Sequence, residues 1–286
     1  MKIRTVNRCL LITILVMLLF EMVIHIPSAI LGDVISKGLI LAILFFLAKR
    51  DGVSDVPAML GFHRVSLPVL GLCVLFFLVT YPVTLAVSYV TNLFTGKLGS
   101  LLIDAIVKPS LLESVICTAV IPALFEEILL RGMAFQTYAR TGRFRAAVLL
   151  SALLFALIHM NLAQFFFCFV IGIYLALLVD ATGSVWSGIA VHFCNNFTTV
   201  MLNYLSAGEG EENSGAFYIV LAVLAAAGVA LSFLLLKLIR RAAGREGLRH
   251  DSAQPPEKLV TPALILLIVC CGVLTVLTGV AVLLPF

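Results

Sequence analysis

About nine runs of apolar residues, parted by short polar stretches, set the pattern of this chain. They cover roughly 9–31, 34–48, 68–93, 111–137, 146–160, 163–180, 184–205, 215–239 and 262–284. An α-helix rises 1.5 Å per residue and needs about 20 apolar residues to cross a bilayer, so these runs are predicted spans. The second and fifth are short for a crossing, and are expected to thin the bilayer locally or to extend into the loops. The predicted fold is all-α, a polytopic transmembrane helix bundle of about eight or nine spans. Residues 49–66, with Leu60-Gly61-Phe62-His63-Arg64, break the pattern and suit a short amphipathic segment along the membrane interface. Pro82 and Pro122 lie inside predicted spans and are expected to kink them.

Composition sharpens this picture. Of 286 residues 62% are hydrophobic, where soluble domains hold roughly half, and mean hydropathy is +1.16. Net charge is +4 with 12% charged residues, mostly in the short loops. That distribution points to orientation in a membrane and away from nucleic acid as a partner. With the N-terminus inside, about fifteen Lys and Arg fall in inner segments, from Lys2, Arg4 and Arg8 to Arg249 and Lys258. Only Lys37, Lys97 and Lys108 fall outside. The expectation is therefore a multi-pass protein of the cell membrane with a cytoplasmic N-terminus and an outer C-terminus. The basic start, Met1 to Arg8, leads into an apolar run with no small-residue cleavage site, and is read as a retained first span. The linker 240–261 mixes basic residues with Gln254-Pro255-Pro256 and is expected to be flexible and cytoplasmic, with anionic lipid as one possible contact. The seven cysteines form no C-x-x-C pair and read as small core residues. No Walker loop, Rossmann glycine pattern or H-E-x-x-H is present.

One span breaks the apolar rule. Leu124-Phe125-Glu126-Glu127-Ile128-Leu129-Leu130-Arg131-Gly132 puts three charges inside the bilayer, at a cost of about 8 to 10 kcal/mol if all were unpaired. At about 100° per residue Glu127 and Arg131 share a face and can neutralise each other. Glu126 points elsewhere and needs a partner on another helix or in a water-filled cavity. It is the candidate general base, with Glu127 and Arg131 as structural support.

Three further polar residues are predicted at the same depth. His159 follows Phe155 by one turn, and His192 precedes Asn196 by one turn. Counted from the inner edge, Glu126, His159, His192 and Asn196 lie roughly 8 to 13 residues deep, one layer at 1.5 Å per residue. Taken singly, a span histidine or asparagine is commonly a packing or interhelical hydrogen-bonding residue. As a set, they suit peptide-bond hydrolysis. Glu126 can take a proton from water, His159 can share that water, and His192 and Asn196 can offer N–H groups to an oxyanion. Glu126, His159 and His192 also make a plausible three-ligand zinc site with one open position. Spacing does not choose between zinc and no cofactor.

The E-E-x-x-x-R at Glu126, Glu127 and Arg131, the F-x-x-x-H at Phe155 and His159, and the H-x-x-x-N at His192 and Asn196 resemble the three motifs of the CPBP family. That family groups CAAX prenyl endoproteases with bacterial Abi proteins, including bacteriocin-processing and bacteriocin-immunity members. The resemblance covers about residues 110–205 and implies a four-helix catalytic core there. Residues 1–109 then supply N-terminal transmembrane helices and 206–286 C-terminal ones. It also implies that Glu126 activates water with His159 while His192 and Asn196 stabilise the oxyanion, in an enzyme commonly called a metalloprotease. The expected substrate is a membrane-embedded or membrane-associated protein or peptide, such as a bacteriocin leader or a CAAX-like sequence. The rival within the family is a catalytically silent protein acting in bacteriocin immunity or partner regulation. A proton-coupled transporter would show two related halves with broken helices, and no such symmetry is visible.

Other polar residues are expected to be structural. Glu21 and His25 are four apart and can pair with each other; Glu113 and Asp180 are expected near span ends where water reaches them; Asp104 and Lys108 read as loop or interface residues. Phe165, Phe166 and Phe167 are read as lipid-facing or packed surface.

Overall fold

The computed structural model describes residues 1–24, 26, 28–95, 110–205, 215–245 and 258–283. Those residues form an all-helical bundle of nine long or composite helices and one short turn of helix, without strands. In chain order these are α1 (Ile3–Val23), α2 (Ala29–Arg50), the single turn α3 (Val56–Met59), α4 (Leu67–Thr95) and α5 (111–139). There follow α6 (Phe144–Leu157), α7 (Leu162–Thr182), α8 (Val185–Leu205), α9 (Gly215–Ala242) and α10 (Pro262–Leu283). Six of them, α1, α2, α4, α7, α9 and α10, are long and apolar enough to cross a membrane unaided. Large apolar side chains such as Phe46, Leu78, Phe233 and Val276 stay exposed on their outer faces. Such faces suit lipid, which is as apolar as they are.

Helix ends depart from the hydropathy reading where polar groups find partners. The first helix starts at Ile3 rather than near residue 9, because Asn7 is buried and donates to the Leu259 carbonyl and to Thr261 Oγ1, each at 2.9 Å. The second is not short. Ser28 caps it by accepting from the Leu31 amide at 3.3 Å, and the Asp33–Lys37 ion pair lets the helix run through both charges for 22 residues. The fifth predicted span is short as expected: α6 has 14 residues, about 21 Å, and stops at Leu157. Met160 takes a positive φ of 46° and Asn161 caps α7 through the Ala163 amide, so the chain reverses between α6 and α7.

The ends that carry most of the basic residues gather at one end of the bundle. Segment 51–66 buries Val56, Met59 and Leu60, leaves Asp55, Pro57 and Ala58 exposed, and is tied to α5 and to the start of α8. Leu60 O accepts from Gln136 Nε2 at 3.1 Å, Gly61 O from the Val185 amide at 2.9 Å, and His63 O from Ser184 Oγ at 2.5 Å. Asp180, expected within reach of water, is instead 2% exposed and ion-paired with Arg240 of α9. A buried carboxylate needs such a partner. Helix α9 continues to Ala242, so the first residues of the expected linker are helical. The Glu21–His25 couple, Asp104, Lys108, the acidic run 208–213 and linker residues 246–257 lie outside the described residues or side chains.

Candidate active site

Helix α5 is one rod of five abutting segments, in which π-helical turns at Val115–Val120 and Glu127–Phe135 flank an α-helical stretch, Ile121–Glu126. The uniform α-helix expected here is thus replaced by wider turns, which are frequent at functional sites. Pro122 contributes. It has no N–H to give the carbonyl of Thr118, four residues back, and Asn196 Nδ2 of α8 donates to that carbonyl at 3.0 Å. The expected kink at Pro122 therefore takes the form of a π-to-α junction that frees an acceptor for a neighbouring helix.

The two carboxylates of α5 have separate surroundings. Glu127 and Arg131 are fully buried and bonded at 2.6 Å. Arg131 Nη2 also donates to the Gly172 carbonyl at 3.1 Å, and its guanidinium carbon lies 4.3 Å from the centre of the Phe155 ring. The same Glu127 oxygen accepts from His192 Nδ1 at 3.1 Å. Its other oxygen, Oε2, has no hydrogen-bond partner among the described residues and faces Gly188, where an added Cβ would stand 2.5 Å away. Gly188→Ala is accordingly expected to lower stability by about 1 to 3 kcal/mol through overpacking. Gly71→Ala, with open space at its Cβ, should not. Thermal unfolding in detergent separates the two, and an unchanged midpoint for Gly188→Ala would count against this packing.

Glu126 and His159 form the less buried pair, though Glu126 Oε2 is itself buried and has no hydrogen-bond partner among the described residues. Their side chains are 15% and 23% exposed, against 0% for Glu127 and Arg131, and Glu126 Oε2 lies 4.0 Å from His159 Nε2. His159 is not in a helix, as its apolar run suggested, but in the turn after α6. The last carbonyls of a helix lack intrahelical donors, and His159 Nδ1 takes one of them, Phe155 O, at 2.7 Å. A carbonyl only accepts, so Nδ1 carries the hydrogen and the neutral ring has its lone pair on Nε2, towards Glu126. Cys168 of α7 lies near the same ring.

His192 and Asn196 are adjacent on α8, with Asn196 Nδ2 3.1 Å from His192 Nε2. Because Glu127 accepts from Nδ1, Nε2 is the acceptor for the Asn196 amide. Asn196 therefore has one hydrogen on His192 and one on Thr118 O, while its own oxygen accepts from Asn195 Nδ2 at 3.1 Å. Both histidine rings pack edge-on against Phe155, at centroid distances of 5.1 and 5.4 Å. Phe155 thus joins the two pairs.

A three-ligand zinc site on Glu126, His159 and His192 does not fit this arrangement. Both ring nitrogens of His192 are engaged, and among the described residues no three His, Cys, Asp or Glu side chains converge as ligands. Glu126 and His159 remain as two facing donors. Thr118, Cys168, Gly188 and Asn195 join the site without having been foreseen. Gly188 lies one helical turn before His192, a position the motif itself could have flagged; Cys168 carries no such signal.

Residues 108–198 match the family model described as Rce1-like, type II CAAX prenyl endopeptidase Rce1-like. No curated protein and no solved structure matches the chain. The match spans the E-E-x-x-x-R, F-x-x-x-H and H-x-x-x-N motifs, whose side chains the fold gathers around Phe155. The match covers about a third of the chain and supports the CPBP and CAAX protease family, in a protein whose six long apolar helices suit repeated membrane crossing.

Proposed function

We propose that this protein is an intramembrane endopeptidase in which Glu126 and His159 activate the water that hydrolyses a peptide bond. The supporting observation is the 4.0 Å gap between Glu126 Oε2 and the lone-pair side of His159. The gap is too long for a direct hydrogen bond, and it suits one water bonded to both at about 2.8 Å. Glu126 takes a proton from that water as its oxygen attacks the scissile carbonyl carbon, and the carbonyl electron pair moves to oxygen. Collapse of the tetrahedral intermediate breaks the C–N bond. The proton held by Glu126 passes to the departing amine, leaving a carboxyl and an amino terminus.

In the proposed oxyanion site Asn196 is the donor and His192 positions it, since the His192 Nδ1 hydrogen goes to Glu127 and its Nε2 accepts from Asn196. Both hydrogens of the Asn196 amide are engaged at rest, one of them by the neutral Thr118 carbonyl. An oxyanion competes well for that hydrogen, because charge-assisted hydrogen bonds are roughly twice as strong as neutral ones. Glu127 holds His192 in the tautomer that turns Nε2 to Asn196. The substrate in this reading is a membrane-embedded or membrane-associated protein or peptide, bacteriocin-leader-like or CAAX-like. The proposed setting is a cell membrane with the N-terminus in the cytoplasm, on the count of basic residues.

A second reading, a catalytically silent protein that regulates a partner or confers bacteriocin immunity, draws support from that closed set of hydrogen bonds at rest. Peptide termini compared in membranes carrying wild type or Glu126→Ala at matched expression decide between them. Termini that appear only with wild type are the expected result, and should persist with chelator, since only two of the three candidate ligands face each other. If no terminus depends on Glu126, the protease reading fails and the silent one stands.

A further inference from the structure

A cavity of about 760 Å³ opens at the basic end of the bundle, where α1 and α10 begin side by side. Among the described residues its lining includes Lys2, Arg4, Arg8 and Lys258, and nothing acidic. Arg4 and Arg8 are four apart and share one face of α1. Lys258 is held opposite by Asn7, whose side-chain amide donates to Leu259 O and Thr261 Oγ1. Asn7 is itself anchored, since its oxygen accepts from the Tyr138 hydroxyl at 2.6 Å. The wall of the cavity is thereby tied to α5, the helix that carries Glu126 and Glu127. Asp51 takes the Lys2 amide and the Thr5 hydroxyl and does not line the cavity. None of the four cations forms an ion pair among the described residues.

Basic residues at the ends of spans are commonly only orientation signals. Arg143 and Arg145, exposed at the turn between α5 and α6, suit that role. The four around the cavity differ because they surround a volume typical of small-ligand sites, at the mouth of two membrane-crossing helices. We propose that this cavity is a binding site for a phosphate-bearing anion, supplied by the headgroup of an anionic phospholipid. Phosphate offers the several acceptor oxygens that Lys and Arg donors match, and the cavity opens where two helices long and apolar enough to cross a membrane begin. The proposal is independent of proteolysis and concerns no residue of the candidate active site.

The test uses the full chain purified in neutral detergent, with bound lipid counted by native mass spectrometry. Saturable binding of one phosphatidylglycerol per chain is expected, with phosphatidylcholine binding far more weakly. The Arg4→Gln/Arg8→Gln double variant should bind about 30-fold more weakly, at about fivefold per basic contact. Arg143→Gln/Arg145→Gln, which removes the same charge from the same end, should bind as wild type does. Lys258→Gln, outside any helix, should weaken binding about fivefold and serves if the double variant does not fold. Displacement of phosphatidylglycerol by millimolar inorganic phosphate would uphold the site but make a soluble phosphate its ligand. Equal weakening by both double variants, or equal binding of the two lipids, would overturn the proposal.

Discussion

Glutamine at position 126 is expected to lower the rate of peptide-bond cleavage by about 10²- to 10⁴-fold, the usual contribution of a positioned general base. The amide keeps the shape of the carboxylate and loses its ability to accept a proton. Stability should hardly change, because Glu126 has no hydrogen bond to Oε2 and only a 4.0 Å approach to His159. Once a substrate is in hand, cleavage rates and melting curves of Glu126→Gln and wild type check both halves. A variant that melts like wild type and cleaves at the wild-type rate would remove Glu126 from the chemistry. One that cleaves slowly only because it is unfolded would move Glu126 to a structural role.

The second large effect concerns stability. Glu127→Ala leaves the Arg131 guanidinium fully buried without its carboxylate, and breaking a buried ion pair from one side costs about 3 to 5 kcal/mol. Arg131→Ala should cost a similar amount, and also lose the stacking on Phe155 and the bond to Gly172 O. Removing both charges together behaves differently, since apolar residues of similar size often replace a buried pair at little cost. The Glu127→Leu/Arg131→Met double variant is therefore expected to regain much of the melting temperature. It should not regain cleavage, because His192 would have lost the acceptor that fixes its Nδ1 hydrogen. Full recovery of both stability and cleavage would show Glu127 to be packing alone.

Much of the architecture was legible because a bilayer taxes polarity so heavily. The run of apolar lengths located seven of the nine long or composite helices to within a few residues; α1 and α2 begin well before the hydropathy reading, where Asn7, Asp33 and Lys37 are satisfied locally, and α1 ends at Val23 rather than near residue 31. The separation of Glu126 from Glu127 and Arg131 also followed from helical phase, and it survives the change from α- to π-helical turns, since residues four apart remain in contact. What phase could not supply was the partner across a helix boundary. Asp180 looked solvated because it lies near the end of its run, yet Arg240, 60 residues on, buries it.

The sequence by itself determined which polar groups fall inside apolar runs and how far along each run they stand, since the cost of charge in hydrocarbon leaves few places for them and each residue adds a fixed rise. Only the tertiary structure decided how those groups are wired. It put His159 in a turn whose orphan carbonyl selects its tautomer, gave the hydrogens of Asn196 to Thr118 and His192, and brought Cys168 to the same ring. It also closed Lys2, Arg4, Arg8 and Lys258 around one cavity. Hydrogen bonds depend on ångström-scale approach between helices distant in sequence, and the period of a single helix carries no record of that approach.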